Sequence, residues 1–154
     1  MPTKITQPRM RVCRGFRIAA GSAAIVFACG SPDRAAESKA VPGAIIEQPA
    51  DGAELSGPAV TIALRAENIA LAPAGDTTPG TGHLHLFINT DVTAAGELIP
   101  TGAGIVHLGK AQQSHELTGL AAGDYTVIAV LGDLAHRRIE PQIMDTVRFR
   151  VRSQ

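Results

Sequence analysis

From Ile45 onward, apolar residues recur at every second position, and clusters of Gly and Pro interrupt the pattern at short, regular intervals. A strand turns successive side chains to opposite faces, so this period reads as a series of short, half-buried β-strands. Ile45-Ile46 opens the series and runs into a turn at Pro49-Ala50-Asp51-Gly52. Next, Val60, Ile62 and Leu64 share one face while Thr61, Ala63 and Arg65 share the other. A loop through Pro73, Gly75, Pro79 and Gly82 leads into HLHLFIN, where Leu84, Leu86 and Ile88 face away from His83, His85 and Phe87. Further strands are predicted at Glu97–Ile99, Ile105–Leu108, Ser114–Leu120, Tyr125–Leu131 and Thr146–Arg152. In the last of these Val147, Phe149 and Val151 point inward, and Arg148, Arg150 and Arg152 form a solvated outer row that keeps an edge from pairing with another chain. No segment sustains a helical period over three turns.

About seven short strands in one domain predict an all-β fold, an immunoglobulin-like Greek-key β-sandwich. A closed barrel shares the same period and is the alternative. The segment Leu120-Ala121-Ala122-Gly123-Asp124-Tyr125 resembles a tyrosine corner, in which a Tyr opening a strand sends its hydroxyl back to the upstream backbone. Tyr125 is the only tyrosine of the chain, and a structural post is the role expected of it rather than ligand contact.

Ahead of the strands the pattern changes. Residues 1–17 are polar and basic, and Ile18 to Ala28 form an apolar run ending in small residues, the layout of an export signal. Val26-Phe27-Ala28-Cys29-Gly30 resembles a bacterial lipoprotein signal, with Phe27 departing from the usual small or aliphatic residue. Cleavage before Cys29 and acylation of its thiol would anchor the mature chain to a membrane face; the plainer alternative is an ordinary signal with a chance cysteine. Translation from Met10 rather than Met1 would serve equally. The organisation predicted is a signal over residues 1–28, a Pro- and Gly-containing tether over 29–43 and a β-domain over 44–154. The expected location is exported, facing the periplasm or the cell exterior.

Composition narrows the function. The 14 basic and 14 acidic residues balance, but Lys4, Arg9, Arg11, Arg14 and Arg17 all lie in the signal, so the rest is mildly acidic. With one Tyr, four Phe and no Trp, the domain has neither the basic surface nor the stacking platforms of a nucleic-acid binder. There is no GxSxG elbow, phosphate loop, HExxH or dinucleotide fingerprint, so no enzyme is expected.

The five histidines all fall in the β-domain. Neutral imidazole is the commonest protein metal ligand. His83 and His85 are two apart on a strand, so their rings leave the same face and can be aimed at one ion. Further ligands must come from neighbouring elements, and His107 and His136 are the candidates; His115, in a polar run, is expected to face solvent. Asp133 is a candidate for the carboxylate that orients a ligating ring, or else a turn former. With Cys13 and Cys29 outside the domain and Met144 its only methionine, soft ligands are scarce, and imidazoles favour zinc or copper(II). The competing expectation is that the rings only satisfy hydrogen bonds within the sheet.

The ordered motifs GTGHLHLFINTD, GELIP, IVHLGKAQQSHELTGLAAGDYTVIAVLGDLAH and VRFRV resemble a family of bacterial exported proteins, domain of unknown function 4399, over Ile45 to Val151. That family's pattern looks like GHHHLLI, then a histidine before Phe-Gly-Lys-Gly-Gln, then Asp-x-x-His-x-x-His-x-Pro. His83 and His85 match the outer histidines of the first motif, and Leu84 replaces the middle one. His107, Gly109 and Lys110 match the second, with Leu108 for Phe. Asp133, His136 and Pro141 match the last, with Ile139 in place of its second histidine. The resemblance implies an envelope-located β-domain and no established activity.

Two functions are therefore expected to compete. One is a membrane-tethered module binding a divalent metal through His83, His85, His107 and His136. The other is a structural module that contacts an envelope protein or a cell-wall polymer. Metal-dependent hydrolysis, with Asp133 or Glu116 as base, is the weakest reading. The oligomeric state is open.

Overall fold

Among the described residues the alternating pattern folds into nine strands: β1 (Gly43–Gln48), β2 (Ala53–Ser56), β3 (Val60–Glu67), β4 (Ala70–Leu71), β5 (Thr81–Ile88), β6 (Ile105–Leu108), β7 (Ser114–Leu117), β8 (Gly123–Gly132) and β9 (Asp145–Arg152). The computed structural model describes residues 40–153. The export signal, Cys29 and the tether as far as Lys39 lie outside the described residues.

β1, β3 and β7 form a three-stranded antiparallel sheet. The second sheet runs β2-β9-β8-β5, and both β4 and β6 pair with β5. β1 and β2 are consecutive in the chain yet enter different sheets, β1 antiparallel to β3 and β2 parallel to β9. The result is an all-β sandwich. Its core is drawn from one face of each sheet: Ala44, Ile46, Val60, Ile62, Leu64 and Leu117 meet Leu84, Leu86, Leu108, Val127, Ala129, Leu131, Val147, Phe149 and Val151. Each fully buried aliphatic side chain of this kind contributes about 1.5–3 kcal/mol.

Tyr125, near the start of β8, donates its hydroxyl to the Ala121 carbonyl at 3.0 Å, and its ring stacks on Phe149. That hydrogen bond is the one a tyrosine corner makes.

The strand count exceeds the expected seven because β2 and β4 are short and lack a run of large apolar residues. Glu97–Ile99, expected as a strand, makes only a single bridge, Leu98 to Arg137. Gly96, at φ 72°, breaks the backbone just before it, and Pro100 just after it cannot donate to a ladder. β7 stops at Leu117 rather than Leu120, two residues short of Gly119 with its φ of 69°.

β5 is buried on both faces from Gly82 to Phe87. Leu84 and Leu86 face the sandwich core, whereas the opposite face is covered by the β5–β6 and β8–β9 connections. Those two loops are joined to each other: Ile99 N–H donates to the His136 carbonyl at 2.7 Å, Arg138 N–H to Glu97 at 2.9 Å and Gly96 N–H to Arg138 at 3.0 Å. Under them Phe87, Ile99 and Val130 form a second apolar cluster.

Candidate metal centre

Register brings the histidines together. β5 pairs with β6 so that His85 lies opposite His107, and with β8 so that His83 lies opposite Gly132. Residues opposite one another in a ladder share a face, so His83, His85 and His107 all project from the outer face of β5 and β6, beneath the two loops.

His136 reaches the same place from the turn that follows β8. Asp133 Oδ1 accepts the N–H groups of Ala135 and Arg137, each at 2.8 Å, and the Asp133 carbonyl accepts His136 N–H at 2.9 Å. This turn holds His136 at φ 58°, a left-handed conformation uncommon for a residue with a side chain. Asp133 therefore shapes the turn. The other role considered for it, steadying a ligating ring, has no hydrogen bond to support it among the described residues.

One ring nitrogen from each of His83, His107 and His136 lies within 4.8 Å of the other two. The Nε2 atoms of His107 and His136 are 3.2 Å apart. The His83 ring centroid is 4.8 Å from those of His85, His107 and His136. His85 stacks on His107 with 22° between their planes and stands 6.0 Å from His136. The structure thus brings His83, His85, His107 and His136 into one cluster, with His83, His107 and His136 able to hold a metal ion. His115 is not part of it. It sits half-buried on β7, opposite Ile62 in the other sheet, and shares a face with buried Leu117 rather than facing solvent.

Two glycines make room for the rings, and neither was singled out for that role from the sequence. A Cβ on Gly109 would fall 2.4 Å from His107 Cε1, and one on Gly132 would fall 2.9 Å from His85 Nε2. A glycine bordering a His-bearing strand is the signal that could have pointed to them.

His83 and His85 are buried, at 1% and 2% exposure. Burial, reinforced by the neighbouring rings, pushes the His83 imidazole down to about 4 and that of His85 down to about 3; at His83 the Asp133 charge opposes this. Burial and then His136 hold His107 below its ordinary value too. Near neutral pH these rings are uncharged, the form that carries a lone pair for a metal. His83 Nε2 and both nitrogens of His85 are buried without a hydrogen-bond partner among the described residues. Leaving such a group unsatisfied costs about 1–3 kcal/mol. The expectation that these rings merely complete hydrogen bonds in the sheet finds no partner for those nitrogens.

The model of the family described as a domain of unknown function (DUF4399) matches residues 62–152. The chain belongs to the DUF4399 family. No curated protein matches it in sequence. The DUF4399 match runs from β3 to β9 and contains all four clustered histidines. Of the two positions where the family pattern resembled a histidine and this chain has none, Leu84 is fully buried in the sandwich core. A side chain there points away from the cluster. Ile139 packs at the edge of the same core, its N–H donating to Leu131 at 3.0 Å.

Proposed function

We propose that this DUF4399 protein is a metal-binding module of the bacterial envelope, holding one ion through His83, His107 and His136 with His85 alongside. The observation that carries the reading is the buried Nε2 of His83, which has no hydrogen-bond partner among the described residues, on a ring grouped with two others whose nitrogens stand close by. A sheet stabilised only by packing gains nothing from uncapped polar atoms at such a place, whereas an ion satisfies them. An all-imidazole donor set suits zinc and copper. The work of such a site is to capture, buffer or display an ion, with no turnover. The envelope location rests on the signal-like residues 1–28, and a lipid on Cys29 would be the membrane anchor.

The test is metal titration of the full chain carrying Cys13→Ser and Cys29→Ser, so that thiols contribute nothing. One equivalent of zinc or copper bound at neutral pH, and lost on His83→Ala/His107→Ala, is the expected result. No saturable binding would overturn the proposal and favour the structural reading. Separately, Cys29→Ser in the native host should release the protein from the membrane fraction.

A further inference from the structure

We infer that the ion this site suits best is the singly charged cuprous ion, in preference to zinc or cupric copper; the inference rests on the metal-binding reading above. The first reason is charge. As ligands the three converging imidazoles carry no charge to offset an ion's, and the Asp133 charge acts on His83 only from beyond pairing distance. Among the described residues no carboxylate lies within ion-pairing distance of any of the four rings, the acidic groups that do pair being matched with arginines. Asp133, the acid nearest in sequence to His136, gives Oδ1 to two backbone N–H groups. On the same loop Asp133 and Glu140 are balanced by Arg137 and Arg138. On the same face of β5 and β8, Phe87, Ile99 and Val130 form an apolar cluster beside His85, with Val130 directly opposite it. The cost of bringing an ion near such a cluster grows with the square of its charge, so a divalent ion costs about four times as much as a monovalent ion of similar size.

The second reason is the number of donors. Three nitrogens close on one another, and His85, stacked behind His107, is not among them. Three imidazoles satisfy a three-coordinate cuprous ion. Zinc on three protein ligands takes a fourth from solvent, a position that the three converging rings leave unfilled. Softness acts the other way, since copper(I) favours thiolate and thioether. The one thioether among the described residues, Met144 Sδ, is taken by the Arg138 guanidinium at 3.0 Å. Charge and coordination number carry the preference.

The experiment is anaerobic titration of the full chain bearing Cys13→Ser and Cys29→Ser with copper(I) against bicinchoninate, beside copper(II) and zinc titrations against chelators of known affinity. The expected result is one copper(I) per chain, bound at least about tenfold more tightly than either divalent ion, with X-ray absorption showing three nitrogen neighbours. His107→Asn, a change at an exposed ring whose folding is checked by circular dichroism, should abolish it. Zinc or copper(II) binding as tight as copper(I) would overturn the cuprous assignment and leave the metal-binding reading standing. Copper(I) retained by a folded His107→Asn chain would also overturn it, by placing the ion elsewhere. No binding of any of the three would overturn both.

Discussion

His107 Nε2 and His136 Nε2 stand 3.2 Å apart, one ring carried by a strand and the other by a loop that begins twenty-odd residues later. As a hydrogen bond the contact requires one ring to carry its proton on Nε2 and the other to accept there. As two donors to one ion it is also about the right size, because two nitrogens about 2.0 Å from an ion stand about 3.3 Å apart in a tetrahedral site and about 3.5 Å apart in a trigonal one. An ion would therefore replace one shared proton with little movement of either ring. The arrangement depends on a turn that spends Asp133 on backbone N–H groups and holds His136 at positive φ.

The two glycines beside the rings should separate binding from stability. In Gly109→Ala the new methyl group would meet the His107 ring at 2.4 Å, and because that ring is exposed it can swing aside. Metal affinity should fall about tenfold or more, with a melting temperature close to that of the parent. In Gly132→Ala the methyl group would meet His85 at 2.9 Å, a ring with nowhere to go, and overpacking there should cost about 1–3 kcal/mol. Titration and thermal melts on both variants check this. Equal loss of stability in the two would mean that His107 is as firmly held as His85.

Much of the sandwich is legible in the sequence because each long strand alternates strictly. Val60, Ile62 and Leu64, or Val147, Phe149 and Val151, cannot be buried together except by an extended chain. β4, two residues long, carries no such period, and Glu97–Ile99 carries a pattern that its flanking Gly96 and Pro100 defeat. At the site, the pairing of His83 with His85 follows from spacing alone. The place of His107 follows from a register that depends on the whole β5–β6 connection. That of His136 depends on one Asp-centred turn. The coverage of the outer face of β5 could not be read from Phe87 or Ile99 singly, since it arises from two distant loops joining each other.

Tyr125→Phe should test the corner independently of the histidines. The variant keeps the ring stacked on Phe149 and removes only the bond to Ala121. A loss of about 0.5–1.5 kcal/mol by urea denaturation is expected, with metal binding unchanged. A change in affinity would mean that the start of β8 and its far end are mechanically coupled.

His85→Leu should make the metal-free protein more stable. Both nitrogens of His85 are buried without partners among the described residues, and a leucine of similar volume removes two desolvated polar atoms while keeping contact with the surrounding apolar groups. Replacing an unsatisfied buried polar group by an apolar one recovers part of its penalty of about 1–3 kcal/mol. Urea denaturation in the presence of a chelator measures it. A marked loss of stability would show that His85 has a hydrogen-bond partner in solution.

Acid should destabilise the metal-free fold earlier than its carboxylates alone would cause. Burial holds His83 at about 4 and His85 at about 3, against an ordinary value of 6.5. As pH falls below about 6.5 the unfolded chain takes up protons that the native rings still refuse. The unfolded state then binds more protons than the folded one, and stability declines on acidification, by up to about 1.4 kcal/mol per pH unit for each ring. The contribution is fully present above 6.5 and is lost as pH falls toward 4 and then 3. Asp76, held below its ordinary value by Thr78, and Asp124, held there by Arg150, act in the same direction, but only below about pH 4. Urea denaturation between pH 7.5 and 5, with chelator present, isolates the histidines, to which His107 also contributes, and His85→Leu should clearly reduce the slope. Stability that rose on acidification over that range would show that the rings are charged in the native protein, and therefore that they are not buried as neutral donors.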